Sequence, residues 1–350
     1  MKKLVLIASA FLSFAAARAQ EPADALRYSW NVQGASARIM AVGGAMGSLG
    51  GDITANFVNP AGLAFYRTGD FIFTPNYKFG KTKSSYFGRT EKEKSDKFTW
   101  GTTGFVIGGG NNNGSVRSSA FSIAFNRTAD FNSNILYRGQ NNQSSYSQKF
   151  LEEIGRNNVK DGNVLSEAYP FGSSLAFNTY WIDTIGGSTN GNFRFQSRSA
   201  NLLSTGLLQQ NTVSSTGGID EGALGFAVNL HEKLMVGGSI GIPFLHYKRV
   251  GEFVEADATN NPANHFNYAI VNETLSSSGV GINLKAGLIY KPMEYWRLGL
   301  AVHSPTFYTL TDRYETDITA DVENANVLTD YSKDYTENAP SQFKYSYMTP

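Results

Sequence analysis

The sequence predicts an all-β chain: a transmembrane antiparallel β-barrel preceded by an N-terminal hatch. Three observations predict it. A secretion signal opens the chain, aromatic and glycine-rich runs of alternating polarity follow, and the connections between those runs are alternately long and short. In the first run Phe71, Phe73, Tyr77 and Phe79 share one face, while Ile72, Thr74, Asn76 and Lys78 share the other. Lipid-facing and interior residues alternate in this way in an outer-membrane barrel. A soluble sandwich shows the same alternation, so the run alone does not decide between them.

Met1-Lys2-Lys3 supplies a positive start, Leu4 to Ala17 an apolar stretch, and Ala17-Arg18-Ala19 a cleavage site. Residues 1–19 therefore read as a signal peptide. The apolar stretch is shorter than the ~20 residues a spanning helix needs. No later run reaches the length of a transmembrane helix. The chain has no cysteine, which excludes disulfides and an anchor on an N-terminal cysteine. A net charge of +1 gives no case for nucleic acid. The 36 glycines, 24 phenylalanines and 18 tyrosines favour aromatic strands joined by polar turns.

Residues 20–70 are expected to form the hatch. Ala23 to Tyr28 suits a short helix, and Gly43-Gly44-Ala45-Met46-Gly47-Ser48-Leu49-Gly50-Gly51 lets backbone approach backbone. No Gly-Lys-Ser/Thr follows, so this is not a phosphate loop. Residues 71–350 are expected to form the barrel. Its runs are Phe71–Phe79, Phe98–Gly108, Ser118–Arg127, Gly222–Leu230, Leu234–Lys248, Val280–Tyr290 and Leu298–Leu310. The run from Phe171 to Trp181 and a helix around Ser147–Arg156 fall in an extracellular insert at about 128–216.

The connections Gly80–Lys97, Thr128–Thr216, Arg249–Ser277 and Thr311–Pro340 are long, and those between them, such as His231–Lys233 and Lys291–Tyr295, are short. Barrels carry long external loops and short periplasmic turns. An eighth run, with Phe343, Tyr345 and Tyr347, meets the end of the sequence at Pro350 before the ~9–11 residues of a spanning strand. The barrel is thus expected to be incomplete at its C-terminal side.

The order signal peptide, glycine-rich segment, Asn59-Pro60-Ala61-Gly62-Leu63, then aromatic strands, resembles the FadL/TodX-type outer-membrane transporters of long-chain fatty acids and hydrocarbons. Asn283-Leu284-Lys285-Ala286-Gly287-Leu288-Ile289-Tyr290-Lys291-Pro292 and Trp296–Tyr308 are similar to that family's paired central strands. The resemblance implies a 14-stranded barrel plugged by its N-terminal hatch, of which this chain covers about the first eight strands. Some members of the family carry the label haemin receptor, so the substrate does not follow from the resemblance.

Candidate hatch and gating residues are Asn59, Pro60, Gly62, Gly43, Gly44 and Gly47. Turn chemistry alone also explains Asn59 and Pro60, and close packing alone explains the glycines. Phe171, Leu175, Phe177, Tyr180 and Trp181 are candidates for capturing a hydrophobic ligand, with packing of the loop against the barrel rim as the alternative. The histidines 231, 246, 265 and 303 have no ligand-like spacing, and Glu91-Lys92-Glu93-Lys94 reads first as a solvated loop. No G-x-S-x-G elbow occurs.

The expected function is therefore passive transport of a hydrophobic small molecule through the cell outer membrane, without enzymatic activity, metal or cofactor. Its expected partners are that ligand and outer-membrane lipid. The alternative is a non-transport barrel serving as scaffold or shuttle for exported proteins. A lipid hydrolase comes third.

Overall fold

The computed structural model describes residues 22–29, 34–185, 194–323, 335–338 and 341–349. The expected signal peptide lies outside them. Among the described residues seventeen strands follow the N-terminal segment. They are β1 Asp70–Ile72, β2 Pro75–Lys78, β3 Lys81–Tyr86, β4 Arg89–Lys94, β5 Lys97–Trp100, β6 Thr103–Gly110, β7 Val116–Asp130 and β8 Ser133–Asn141. After an insert with β9 Ile182–Ile185 and β10 Arg194–Ser197 come β11 Leu207–Leu230, β12 Leu234–Asp257, β13 Tyr268–Met293, β14 Trp296–His303, β15 Phe307–Asp321, β16 Tyr335–Asn338 and β17 Ser341–Met348.

All of these but β9 and β10, which pair with each other, make eight successive passes of one antiparallel meander. The passes are β1 to β3, β4 to β6, β7 with β8, β11, β12, β13, β14 with β15, and β16 with β17. The β2–β5 and β3–β4 ladders extend the first pair of passes. Among the described residues the first and last passes pair on one side only. The all-β expectation holds in this form: a long up-and-down sheet of adjacent antiparallel strands.

Tight turns fix the register at one end. Between β11 and β12, His231 and Glu232 take φ of +54° and +61°, and Lys233 N–H closes the turn on the Leu230 carbonyl at 3.1 Å. Leu230 then faces Leu234, and the ladder runs unbroken to Leu207 opposite Asp257. At the other end the strands run much further than their apolar residues suggest. Gly80–Lys97 is no loop but contains the β3–β4 hairpin. The expected insert at 128–216 shrinks to residues 142–206, because β8 and the first half of β11 are paired. Arg249–Ser277 reduces to a loop at 258–267, and β15 continues to Asp321. The polar residues Gln209, Asn211, Ser214 and Ser215 carry no strand signature of their own, and neighbouring passes supply their ladder partners.

The sheet has two unlike faces. One is uncovered and apolar. Phe105, Ile123, Leu224, Ile240 and Leu284 lie opposite one another across five passes, and all but half-buried Ile123 are exposed. The other face is covered, and at the same level it is small and polar: Ser118, Ala120, Ser122, Ala124, Ala223, Ala227 and Ser239 are all buried. A water-soluble sheet buries its apolar face and wets its polar one. At this level the sheet instead leaves its large apolar side chains uncovered and covers its small and polar ones.

Candidate functional site

The covered face is filled by three pieces of chain. The first is the N-terminal segment, with helix α2 at Ala37–Ala41, helix α3 at Ala55–Val58 and a 3₁₀ turn at Pro60–Phe65; helix α1, at Pro22–Ser29, belongs to the second piece. Ile39, Met46, Ile53, Phe57 and Leu63 form a core with Val106, Ala120, Ala124, Ala223, Ala227, Met235 and Ile289 of the sheet. Each of the larger side chains among them contributes about 1.5–3 kcal/mol on burial. Ser36 caps α2, accepting from Ile39 N–H at 3.4 Å and donating to Asp52 at 2.7 Å.

Asn59 is the junction. Fully buried, it caps the 3₁₀ turn by accepting from Ala61 N–H at 3.2 Å, and Pro60 follows at the first position, where no N–H is needed. Its amide nitrogen donates to the Gly47 carbonyl at 2.7 Å and to the Leu288 carbonyl at 3.3 Å. A Cβ on Gly287 would collide with the Asn59 side chain, and one on Gly237 would lie 2.6 Å from the Pro60 carbonyl. The sheet needs glycine there because this turn lies directly on it.

Further bonds hold the segment along its length. Asn56 donates to Ser122 at 2.8 Å, and Ser239 donates to the Asn56 carbonyl at 2.8 Å. Ser118 donates to the Ala64 carbonyl at 2.6 Å, Asn126 to the Gly34 carbonyl at 2.9 Å, and the His303 ring lies 2.9 Å from the Val58 carbonyl. Beneath Phe57, Lys285 is ion-paired to Glu221 with both side chains buried, and Lys285 also donates to Asn283 at 2.7 Å.

The structure thus brings Asn59, Pro60, Gly62 and the Gly47 carbonyl together. Gly62 is tightly packed, since a Cβ there would sit 3.0 Å from Ala55 Cβ and Gly50 Cα. Close packing does not explain Gly43 or Gly47, whose added Cβ would meet nothing within 4 Å. Gly43 and Gly44 instead take φ of +68° and +79°, which favours glycine.

The second piece is helix α1. Arg27 stacks on the Tyr247 ring at 4.1 Å, and Tyr28 packs edge-on against Tyr347, whose hydroxyl donates to the Ala25 carbonyl at 3.1 Å. With Phe131, Leu245, Tyr308 and Leu310 these residues make an aromatic patch on the covered face.

The third piece is the insert, with helices α4 at Gln148–Arg156, α5 at Gly162–Ala168 and α6 at Ser173–Asn178. It separates the five capture candidates. Leu175 and Trp181 are buried in the insert's core with Phe150, Ile154 and Leu165. Phe171 packs edge-on against Tyr314 at 5.3 Å, and Phe177 against Phe195 at 5.8 Å. Phe177 and half-buried Tyr180 border the core. Packing accounts for these residues as placed.

Sequence reasoning missed the polar knot that ties the insert to the sheet. Glu255, fully buried, accepts from Ser145 at 2.5 Å, from Tyr146 N–H at 2.9 Å and from Gln209 at 2.6 Å. Trp181 donates to Ser199 at 2.7 Å, which joins Ser145 at 2.8 Å. The signal available was parity: Glu221, Glu255 and Lys285 all fall at covered-face positions of their strands. Nearby, burial pushes the Asp257 carboxyl up. The Thr259 and Asn261 N–H groups, the Thr259 hydroxyl and the Asn264 amide outweigh that and hold it below the usual range.

A hollow of about 750 Å³ lies on the uncovered face, between Phe121, Phe226, Leu284 and Val302 and over Gly238 and Ala286. Among the described residues no group of three or more His, Asp or Glu is placed to hold a metal ion. No protein-family model matches the chain, and no curated protein matches it.

Proposed function

We propose that this chain belongs to a hatch-plugged outer-membrane barrel, similar to the FadL/TodX-type transporters, that passes hydrophobic small molecules. The observation that carries the reading is the reversed polarity of the sheet. An apolar uncovered face meets lipid hydrocarbon without cost, and Ser118, Ser122, Asn126 and Ser239 on the other face bond to the segment lying on it. On β13 the exposed apolar positions run from Val280 to Tyr290, about 33 Å at ~3.3 Å per residue. Tilted by ~40°, that covers the ~25 Å band of such barrels.

In this reading the segment around Asn59 is the hatch. Hydrogen bonds to Leu288, Ser122 and Ser239, and from Arg297 to the Leu49 carbonyl at 2.7 Å, hold it, and they can exchange with water when the hatch moves. The aromatic patch of Tyr28, Phe131, Tyr247, Tyr308 and Tyr347 is packed together with helix α1, and it becomes apolar surface for a greasy solute when that helix lifts. The long-loop end, with β3, β4 and the insert, faces the cell exterior, and His231–Lys233 faces the periplasm.

Uptake of a labelled fatty acid and of a labelled aromatic hydrocarbon, in cells with and without the gene for the full protein, tests the reading. Faster uptake of at least one probe with the gene is the expected result. Equal uptake of every probe favours the scaffold alternative, which the polar and densely packed covered face around Lys285 and Glu221 also supports.

A further inference from the structure

The β3–β4 hairpin carries a charge pattern that its own fold does not explain. Lys81 lies directly opposite Lys94, and Lys83 directly opposite Lys92. All four side chains are exposed on one face of a two-stranded ladder. Like charges placed opposite one another destabilise a sheet. None of the four is in an ion pair with an acidic residue of the described chain. The hairpin's acidic and aromatic residues point the other way, onto β8. There Glu91 takes Arg138 at 2.6 Å and Tyr86 packs on Tyr137 at 5.1 Å. The two arginines Arg138 and Arg89 hold the Glu91 carboxyl below its usual range, so it stays ionised and occupied on that side.

The position of the four lysines narrows what they meet. Strand alternation carries one face of the first two passes from exposed Phe71, Phe73, Tyr77 and Phe79, with Phe98 and Trp100 beside them, to the lysines. The aromatic rings touch one another: Phe73 lies 5.2 Å and Phe98 4.9 Å from Trp100, and Tyr77 lies 4.8 Å from Phe79. Lys81 follows Phe79 by two residues and Lys83 by four, about 7 and 13 Å along a strand. On the second pass Lys94 and Lys92 precede Phe98, with Asp96 the one acidic residue between them on that face. Aromatic belts mark the border of the hydrocarbon, and the layer just beyond it holds the charged headgroups.

We propose that Lys81, Lys83, Lys92 and Lys94 form a docking surface for the phosphate groups of anionic glycolipid headgroups in the outer leaflet. The proposal rests on the outer-membrane reading above. Headgroup phosphates lying over the hairpin neutralise the two opposed lysine pairs and so remove the repulsion the fold leaves unbalanced. Binding is then electrostatic, weakens with salt, and follows charge rather than side-chain shape.

The test uses the full chain in detergent and micelles of bisphosphorylated lipid A. The quadruple variant Lys81→Gln, Lys83→Gln, Lys92→Gln, Lys94→Gln is expected to bind at least tenfold more weakly than the parent, and the four-arginine variant to bind as the parent does. Lipid A stripped of both phosphates is expected to bind the parent as weakly as it binds the glutamine variant. Equal binding of bisphosphorylated lipid A by parent and glutamine variant would overturn the proposal. So would full displacement of the lipid by millimolar inorganic phosphate, which would make free phosphate the ligand. Cell fractionation reads the membrane assignment separately: a parent protein absent from the outer membrane would sink that assignment, while the binding comparison would still judge the lysines.

Discussion

The same sheet face is covered in two different ways at its two ends. Near the short turns, the segment from Ala35 to Tyr66 rests on alanines, serines and glycines and is fastened by neutral hydrogen bonds from Asn56, Asn59, Ser118, Asn126 and Ser239. Near the long connections, the insert has an apolar core of its own and a buried carboxylate, Glu255, gripped by donors from both sides. Neutral bonds contribute little net and are replaceable by water, whereas breaking up a buried, fully paired carboxylate leaves a group that nothing else satisfies. The contrast sets a cover fastened mainly by neutral hydrogen bonds against one anchored by a buried carboxylate.

The largest expected effect is at the fixed end. Trp181→Ala removes a fully buried indole that packs on Phe150 and Phe266, and should cost about 3–5 kcal/mol. Hydrogen exchange should then rise across residues 146–182 and stay unchanged across 36–66. A rise in both would mean that the two covers fold as one unit.

Gly287→Val is the matching change at the other end. Its side chain would collide with Asn59, and overpacking of this kind costs about 1–3 kcal/mol. Limited proteolysis should gain cleavage between Gly43 and Gly51 while the insert remains intact. Asn59→Ala acts at the same junction from the other side and leaves the Gly47 and Leu288 carbonyls without its amide. A loss of about 1–3 kcal/mol, read as faster exchange at residues 47–66, is expected.

How much of this was legible in the sequence differs in the same way between the two ends. The turn at His231–Lys233, the position of the turn that closes at Glu294-Tyr295, the helix beginning near Ser147 and the turn at Asn59-Pro60 were readable, because each depends on local chemistry. The polar halves of β11, β12 and β13 were not, because their pairing depends on neighbours rather than on an apolar pattern. Phe171, Leu175, Phe177, Tyr180 and Trp181 read equally well as a capture patch or as loop packing. A sequence shows that they are apolar, but not that three helices and the sheet close over Leu175 and Trp181.

The smallest effect concerns pH at the loop after β12. The folded Asp257 carboxyl sits below its unfolded value, so its contribution is present at neutral pH and is lost as pH falls through the folded value. Pepsin cleavage within residues 258–267 should therefore increase in steps below about pH 4, near the unfolded carboxylate value. Asp257→Asn should flatten that profile. An unchanged profile in the variant would assign the acid sensitivity to another group.

The central claim is that the uncovered face meets lipid and the covered face meets protein. The chain has no cysteine, so single cysteines can be placed and spin-labelled without background. In the protein reconstituted in bilayers, labels at Leu224, Ile240 and Leu284 should collide freely with dissolved oxygen and poorly with a water-soluble nickel chelate. Labels at Ala223 and Ser239, one residue away on the covered face, should be shielded from both. Chelate access at Ile240 and Leu284 equal to that of a label on exposed Lys233 would contradict the account.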